Sequence, residues 1–144
     1  MDNNKVEIPH QSNQAEKDKS KFNWVTERSA CSLPKVFHTL RLQVEEDVKT
    51  RNTQRPQNSP YEFSVKDSGS DFSVLYKAKD LSRSVIFTLA EKGILVRGSE
   101  GNQMFEITVT FTPQGECKLI VNEEPHEVWQ VRRMALEDLF FHAN

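Results

Sequence analysis

Residues 103 to 112 carry the sequence feature that most constrains the fold. This stretch, Gln103-Met-Phe-Glu-Ile-Thr-Val-Thr-Phe-Thr112, alternates between apolar side chains and mostly polar ones. Because successive side chains of a strand point to opposite sides, its regularly spaced apolar members share one face. They are Phe105, Ile107, Val109 and Phe111. The pattern predicts an antiparallel strand with one face against a core and the other toward water.

Five further segments show the same two-residue period, and short turn signals separate them. They span residues 61–65, 72–76, 85–89, 94–96 and 117–121. No helical pattern lies between any two of these strands, so neighbours along the chain must pair directly as an antiparallel meander. A parallel sheet would need crossover helices, which the sequence does not offer.

Two amphipathic helices are predicted, one on each side of the strand series. The first begins at Ser32-Leu-Pro34, where the serine can cap the free amides and proline is tolerated, and it runs to about Asn52. The second follows Asn122-Glu-Glu-Pro125. Each helix has one apolar stripe, so both are expected to cover the apolar side of the sheet. The predicted class is α+β, a six-stranded antiparallel meander sheet with an N-terminal and a C-terminal helix packed on one face.

The sequence divides into a tail and one domain. Residues 1–21 are predicted to be a disordered polar tail, because their few apolar side chains cannot offset the entropy of ordering them. Residues 22–144 are predicted to form a single α+β domain. Within it, residues 22–26 are expected to form a short strand or an extended segment that buries Phe22 and Trp24.

Charge and cysteine content argue against several classes of function. The 19 basic and 21 acidic side chains are interspersed, so no single-sign field is available for nucleic acid or an anionic membrane. No apolar run approaches the roughly 18 residues needed to cross a bilayer, and a signal peptide is not apparent. We expect a cytoplasmic protein in which Cys31 and Cys117 are free thiols.

Metal binding and cysteine catalysis are both weakly indicated. The four histidines do not have the spacing of metal ligands on one helix, so a zinc site would need a long-range pairing such as His126 with Cys117. Cys31 stands at a helix start, where amide dipoles can lower a thiol pKa, but no histidine is adjacent in sequence. A structural thiol is the more common role for such a residue. We predict no enzymatic activity, no metal and no cofactor.

Charged side chains of the closing helix have an ordinary interpretation. Arg132-Arg133 beside Trp129 could contact phosphates and stack a base, but two arginines among acidic neighbours do not make a basic face. A salt-bridged amphipathic helix is the expected arrangement.

One feature of the sheet points to a partner. If the longer apolar faces meet the helices, alternation sends Leu75, Ile86 and Leu95 to the opposite face on adjacent strands. Such a patch usually binds a partner, a ligand or a covering segment, for which Phe22 and Trp24 are candidates. The leading hypothesis is a non-enzymatic protein-interaction or homodimerisation module of unknown process, with these three residues as its partner-binding site.

Two other hypotheses belong to different classes. The first is a small-molecule carrier with an apolar pocket between sheet and helices, suggested by nine phenylalanines and two tryptophans. The element order also resembles helix-grip folds, in which a curved antiparallel sheet wraps a C-terminal helix and leaves a cavity, and this resemblance implies a small apolar ligand. The second is a cysteine-dependent enzyme that uses Cys31.

Overall fold

The structure is a computed structural model, and it describes residues 21–142 of the chain. Three helices and seven strands lie wholly within that range. The predicted polar tail of residues 1–21 lies outside the described residues except for Lys21. None of the helices in the described part is long and apolar enough to cross a membrane.

The order of elements is two helices, seven strands and a closing helix. Helix α1 spans Trp24–Ala30, α2 spans Leu33–Thr53 and α3 spans Val128–His142. The strands are β1 Glu62–Asp67, β2 Asp71–Lys77, β3 Ser82–Leu89, β4 Ile94–Gly98, β5 Gln103–Phe111, β6 Cys117–Val121 and β7 Glu124–His126. Each strand pairs antiparallel with the next, which confirms the predicted meander and the α+β class.

The sheet has seven strands rather than the predicted six. The additional strand, β7, occupies residues that were expected to lead into the closing helix. Asn122 and Glu123 adopt φ values of 53° and 67°, which closes a two-residue turn between the paired residues Val121 and Glu124. The sequence signal is weak because glutamate rarely adopts positive φ. Pro125 fits here because an edge strand does not need its amide.

The segment near residue 24 is helical, so the prediction of a strand or extended segment is wrong. Helix α1 begins after Asn23, whose side chain accepts a hydrogen bond of 3.0 Å from the Thr26 amide. Asparagine is a strong N-cap, and this local bond competes with the extended conformation. No residue of α1 is buried, and Trp24 is 63% exposed. Phe22 lies against the turn at Gly115, where an added Cβ would come within 2.9 Å of the ring.

The hydrophobic core lies between one face of the sheet and the helices α2 and α3. Its largest fully buried side chains come from the sheet and from both helices, and they include Leu40, Phe72, Phe87, Ile94, Ile107, Leu119 and Val131. Phe72 and Phe87 stack with ring centres 4.6 Å apart. Both helices therefore cover the apolar side of the sheet, as the periodicity predicted.

Strand β5 shows the predicted alternation of exposure. Phe105 and Ile107 are buried, Val109 and Phe111 are half-buried, and the residues between them are mostly exposed.

Helix α2 has the predicted start and also protects the edge of the sheet. The Ser32 hydroxyl accepts a hydrogen bond from the Lys35 amide, and Pro34 lies in the first turn. Near the other end, the Asn52 amide donates to the Phe63 carbonyl at 2.8 Å and accepts from the Phe63 amide at 3.1 Å. One side chain thus replaces a neighbouring strand at this point of β1, which limits pairing with another chain.

Cys31 and Cys117 form a disulfide, so the prediction of free thiols is wrong. Their Cα atoms are 5.4 Å apart although 86 positions separate them in sequence. Neither spacing nor composition indicates this pairing, because it arises only when the start of α2 meets the start of β6 in the fold. The bond fixes the N-terminus of α2 to the sheet.

Candidate functional site

The outer face of the sheet carries the three residues predicted to bind a partner. Leu75, Ile86 and Leu95 lie on β2, β3 and β4, and each is half-buried. Leu75 is opposite Ser84 and Ile86 is opposite Arg97, so the three apolar residues follow a diagonal line across neighbouring strands. The core residues of α2 and α3 meet the other face, and α1 buries no residue.

Polar side chains border this diagonal line on both sides. Ser73 and Thr88 flank it, and the Arg97 guanidinium lies beside Ile86 in register, with Nη2 donating to Thr88 Oγ1 at 3.1 Å. The Nε atom of Arg97 is buried and has no hydrogen-bond partner among the described residues. The outer face is consequently a narrow apolar stripe within a polar surface.

The helical layer carries a second surface, on the side away from the sheet. A cleft of about 360 Å³ runs between α2 and α3, and its apolar wall includes Trp129, Leu136, Phe140 and Phe141. Such a cleft is large enough for side chains of a partner.

The two arginines that join the helices at this cleft have hydrogen-bond partners. Arg132 Nε donates to Asp47 Oδ2 at 2.8 Å, which joins α3 to α2 at one end. At the other end, Arg51 Nε donates to the Phe140 carbonyl at 3.0 Å, and its guanidinium carbon lies 4.9 Å from the centre of the Phe141 ring. These contacts stabilise the two helices against each other. The cleft thus has an apolar lining, and the polar groups at its two ends already have hydrogen-bond partners within the chain.

Large apolar side chains are exposed along α3, and two of them, Trp129 and Phe141, border the cleft. Trp129 is 55% exposed, Phe141 59% and Met134 38%. Between the two aromatic residues, Arg133 Nε donates to Glu137 Oε1 at 3.1 Å along the helix. The salt-bridged amphipathic helix expected from the sequence is therefore present. The exposure of Trp129 and Phe141 was not predicted, although both lie in one row of residues spaced by four.

A second recess, of about 510 Å³, lies between one end of the sheet and α3. Leu81, Met104 and Leu139 give it an apolar part. Arg83 and Asp138 form an ion pair of 3.1 Å from the sheet to α3 at its wall. This recess is the counterpart of the predicted pocket between sheet and helices, but its lining is mixed.

The candidate catalytic and metal groups are not assembled into a site. Cys31 is buried and its sulfur is bonded to Cys117, so it does not present a thiolate to a substrate. The Nδ1 atom of His38 lies 3.1 Å from Arg41, and that of His126 lies 2.8 Å from the Glu124 carbonyl. Residues 21–142 contain no group of three or more histidine, cysteine, aspartate or glutamate side chains arranged to hold a metal ion.

Near the start of α3, Lys118 on β6 forms ion pairs with Glu127 and Glu116. The hydrogen bond to Glu127 raises the pKa of the Lys118 amino group above its ordinary value, and the charge of Glu116 acts in the same direction, while desolvation opposes both. The pair with Glu127 connects the sheet to the residue that precedes α3.

Comparison with protein-family models, with curated proteins and with solved structures finds no match for this chain. The choice between functions consequently depends on the surfaces described above.

Proposed function

We propose that the protein is a non-enzymatic interaction module whose binding surface is the solvent face of α3 together with the α2–α3 cleft. The observation that carries this proposal is the exposure of Trp129 and Phe141 at the border of an apolar cleft, with Met134 exposed farther around the same helix. Single exposed apolar residues are common on protein surfaces. Two half-exposed aromatic residues bordering one cleft resemble the anchors of protein interfaces, which are rich in tryptophan and phenylalanine.

The state of the charged groups supports binding rather than catalysis. Arg132 is paired with Asp47, and Arg133 with Glu137. General acid–base or nucleophilic chemistry needs an activated group, such as a histidine or cysteine beside a base, within reach of a reacting atom, and neither ion pair contains one. The absence of enzymatic activity stays a prediction from the sequence.

The outer-face residues Leu75, Ile86 and Leu95 remain a second proposed surface. They are half-buried within their own sheet, whereas Trp129 and Phe141 expose more than half of their surface. Burial of apolar surface gains about 25 cal/mol per Å², so the more exposed residues on α3 have more to contribute. For this reason we place the principal binding surface on the helices.

Photocrosslinking tests the location of the surface directly. Benzoylphenylalanine would replace Trp129, Leu75 or the exposed loop residue Lys92 in three full-length variants, and each would be irradiated in cells. We expect a discrete crosslinked product from position 129, and only background from position 92. The yield of crosslinked product from position 129 should decrease when Phe141 is replaced by serine.

Other outcomes of the same experiment would contradict the proposal. A product from position 75 alone would move the binding surface to the sheet. Equal background yields at all three positions would remove the interaction proposal.

A second candidate function is the binding of a small apolar ligand in the recess lined by Leu81, Met104 and Leu139. The observation in its favour is a volume of about 510 Å³, which lies in the range of ligand pockets. Native mass spectrometry of freshly purified protein would detect a bound molecule as added mass. A Met104→Trp variant, which fills the recess, should lose that mass, while Trp129→Ser should keep it.

Cytoplasmic localisation stays a prediction, and one of its premises has changed. It assumed free thiols, whereas Cys31 and Cys117 are joined. Disulfides persist in oxidising compartments and are rare in the cytosol. Thiol labelling in intact cells distinguishes the two states: modification of both cysteines without prior reduction would favour the cytoplasm, and modification only after reduction would argue against it.

A further inference from the structure

We infer that α3 is the interface of a two-fold homodimer, in which it packs antiparallel against α3 of a second copy of the chain. This inference rests on the proposed function and names the partner for the same surface. It comes from the order of side chains along the exposed face of the helix.

Four residues spaced by four form a row on that face. In order they are an aromatic residue, a cation, an anion and an aromatic residue: Trp129, Arg133, Glu137 and Phe141. All four are exposed. At 1.5 Å per residue, the row is about 18 Å long.

This row is complementary to its own reversed copy. In a two-fold arrangement level with Ala135, residue i of one helix is opposite residue 270 minus i of the other. Arg133 is then opposite Glu137 of the second copy, and Glu137 is opposite its Arg133. The same register brings Trp129 opposite Phe141 of the second copy, twice. Isologous interfaces require this kind of self-complementarity, because each contact occurs in both directions.

The shape of the surface agrees with helix packing. Rows of residues four apart form the ridges that enter grooves on a facing helix. The row is flanked by the 360 Å³ cleft on the α2 side and by a second groove of about 340 Å³, bordered by Gln130 and Met134, on the other. A second copy of α3 thus offers both the ridge and the grooves that receive it.

The expected dimer is weak. Each row is about 18 Å long and only one side chain wide. We therefore expect the buried surface area to fall below the roughly 1,200 Å² of stable complexes. Association should therefore depend on concentration, with monomer and dimer in exchange. To make the same contacts, a different protein would need an aromatic residue, an anion, a cation and an aromatic residue in matching positions. A second copy of α3 has this order already.

Charge reversal in full-length protein tests the register. Arg133→Glu makes both central positions acidic, and Glu137→Arg makes both basic. In a homodimer of either variant, two attractive contacts become two repulsive ones, so self-association should weaken at least about tenfold, which is 1.4 kcal/mol. When the two variants are mixed, a heterodimer places the two acidic residues of one helix opposite the two basic residues of the other. Native mass spectrometry should then show a heterodimer at concentrations where neither variant forms a homodimer.

The double variant Arg133→Glu/Glu137→Arg supplies the matched control. It restores opposite charges within the helix and across the interface, so its self-association should return to that of the unchanged chain. Both single variants lose the ion pair within α3, and the mixture does not repair it. Recovery on mixing therefore cannot come from helix stability, and circular dichroism of each variant confirms that the fold is retained.

Three outcomes would overturn the inference. The first is self-association of both single variants as strong as that of the unchanged chain, and the second is failure of the mixture to form heterodimer. The third is an unchanged chain that stays monomeric at all concentrations tested. If the third occurs while benzoylphenylalanine at position 129 still crosslinks to another protein, the homodimer is wrong and the proposed interaction function stands.

Discussion

Individual side chains decide which face of the sheet contributes to stability. Along β5, Ile107 is fully buried among core residues, while its neighbour Thr108 is exposed on the outer face. This contrast was predictable, because a two-residue period leaves only two orientations for the strand and the threonine side is the polar one. The pairing of Asn52 with Phe63 was not predictable, since it depends on where the end of α2 meets the edge of the sheet.

A pair of substitutions on β5 measures the difference between the two faces. Ile107→Ala should lower the free energy of unfolding by about 2 to 5 kcal/mol, because it removes buried methyl groups and leaves a cavity. Thr108→Ala on the outer face should lower it by less than about 1 kcal/mol. Urea denaturation of both variants gives the values. Equal losses would mean that the outer face is also covered.

At the scale of elements, the sequence predicted those with strong periodicity and missed those set by short local signals. Helix α2 begins at its serine cap and ends within a residue or so of the expected position, because a long amphipathic pattern and a cap agree. Helix α1 and strand β7 were missed. Helix α1 depends on the Asn23 cap, and β7 depends on the positive φ of Asn122 and Glu123. The neighbouring residues show no strong periodicity that would indicate either element.

The disulfide makes a prediction at this scale, because it joins two elements. It closes a loop of 86 positions between the start of α2 and β6. The chain-entropy estimate for a loop of this length is about 4.5 kcal/mol, and typical contributions of disulfides are about 2 to 4 kcal/mol. Replacing both Cys31 and Cys117 by serine should lower the melting temperature. Adding a reductant should lower that of the unchanged chain to a similar level.

The double serine variant is also the control, because it should not respond to the reductant. A melting temperature of the unchanged chain that is insensitive to complete reduction would contradict a stabilising role for the bond.

At the scale of the whole molecule, two apolar surfaces lie on opposite sides of one core. The stripe on the sheet could be predicted, since alternation alone assigns Leu75, Ile86 and Leu95 to the face away from the helices. The surface on α3 could not. Its exposure depends on how far α3 is rotated against α2, which is fixed by tertiary contacts such as Arg132 with Asp47 and Arg51 with the Phe140 carbonyl. The available signal was the row of residues four apart, in which two aromatic residues, Trp129 and Phe141, enclose two charged ones.

The central claim is that the chain associates through α3 rather than through the outer face of the sheet. Sedimentation velocity over a range of concentrations compares the unchanged chain with two double variants, Trp129→Ser/Phe141→Ser and Leu75→Lys/Leu95→Lys. Residues 129 and 141 are exposed, and residues 75 and 95 lie on the face away from the core, so both variants should retain the fold. We predict that the sedimentation coefficient of the unchanged chain and of the lysine variant rises with concentration, while the serine variant stays monomeric. A serine variant that still associates, beside a lysine variant that does not, would contradict the account.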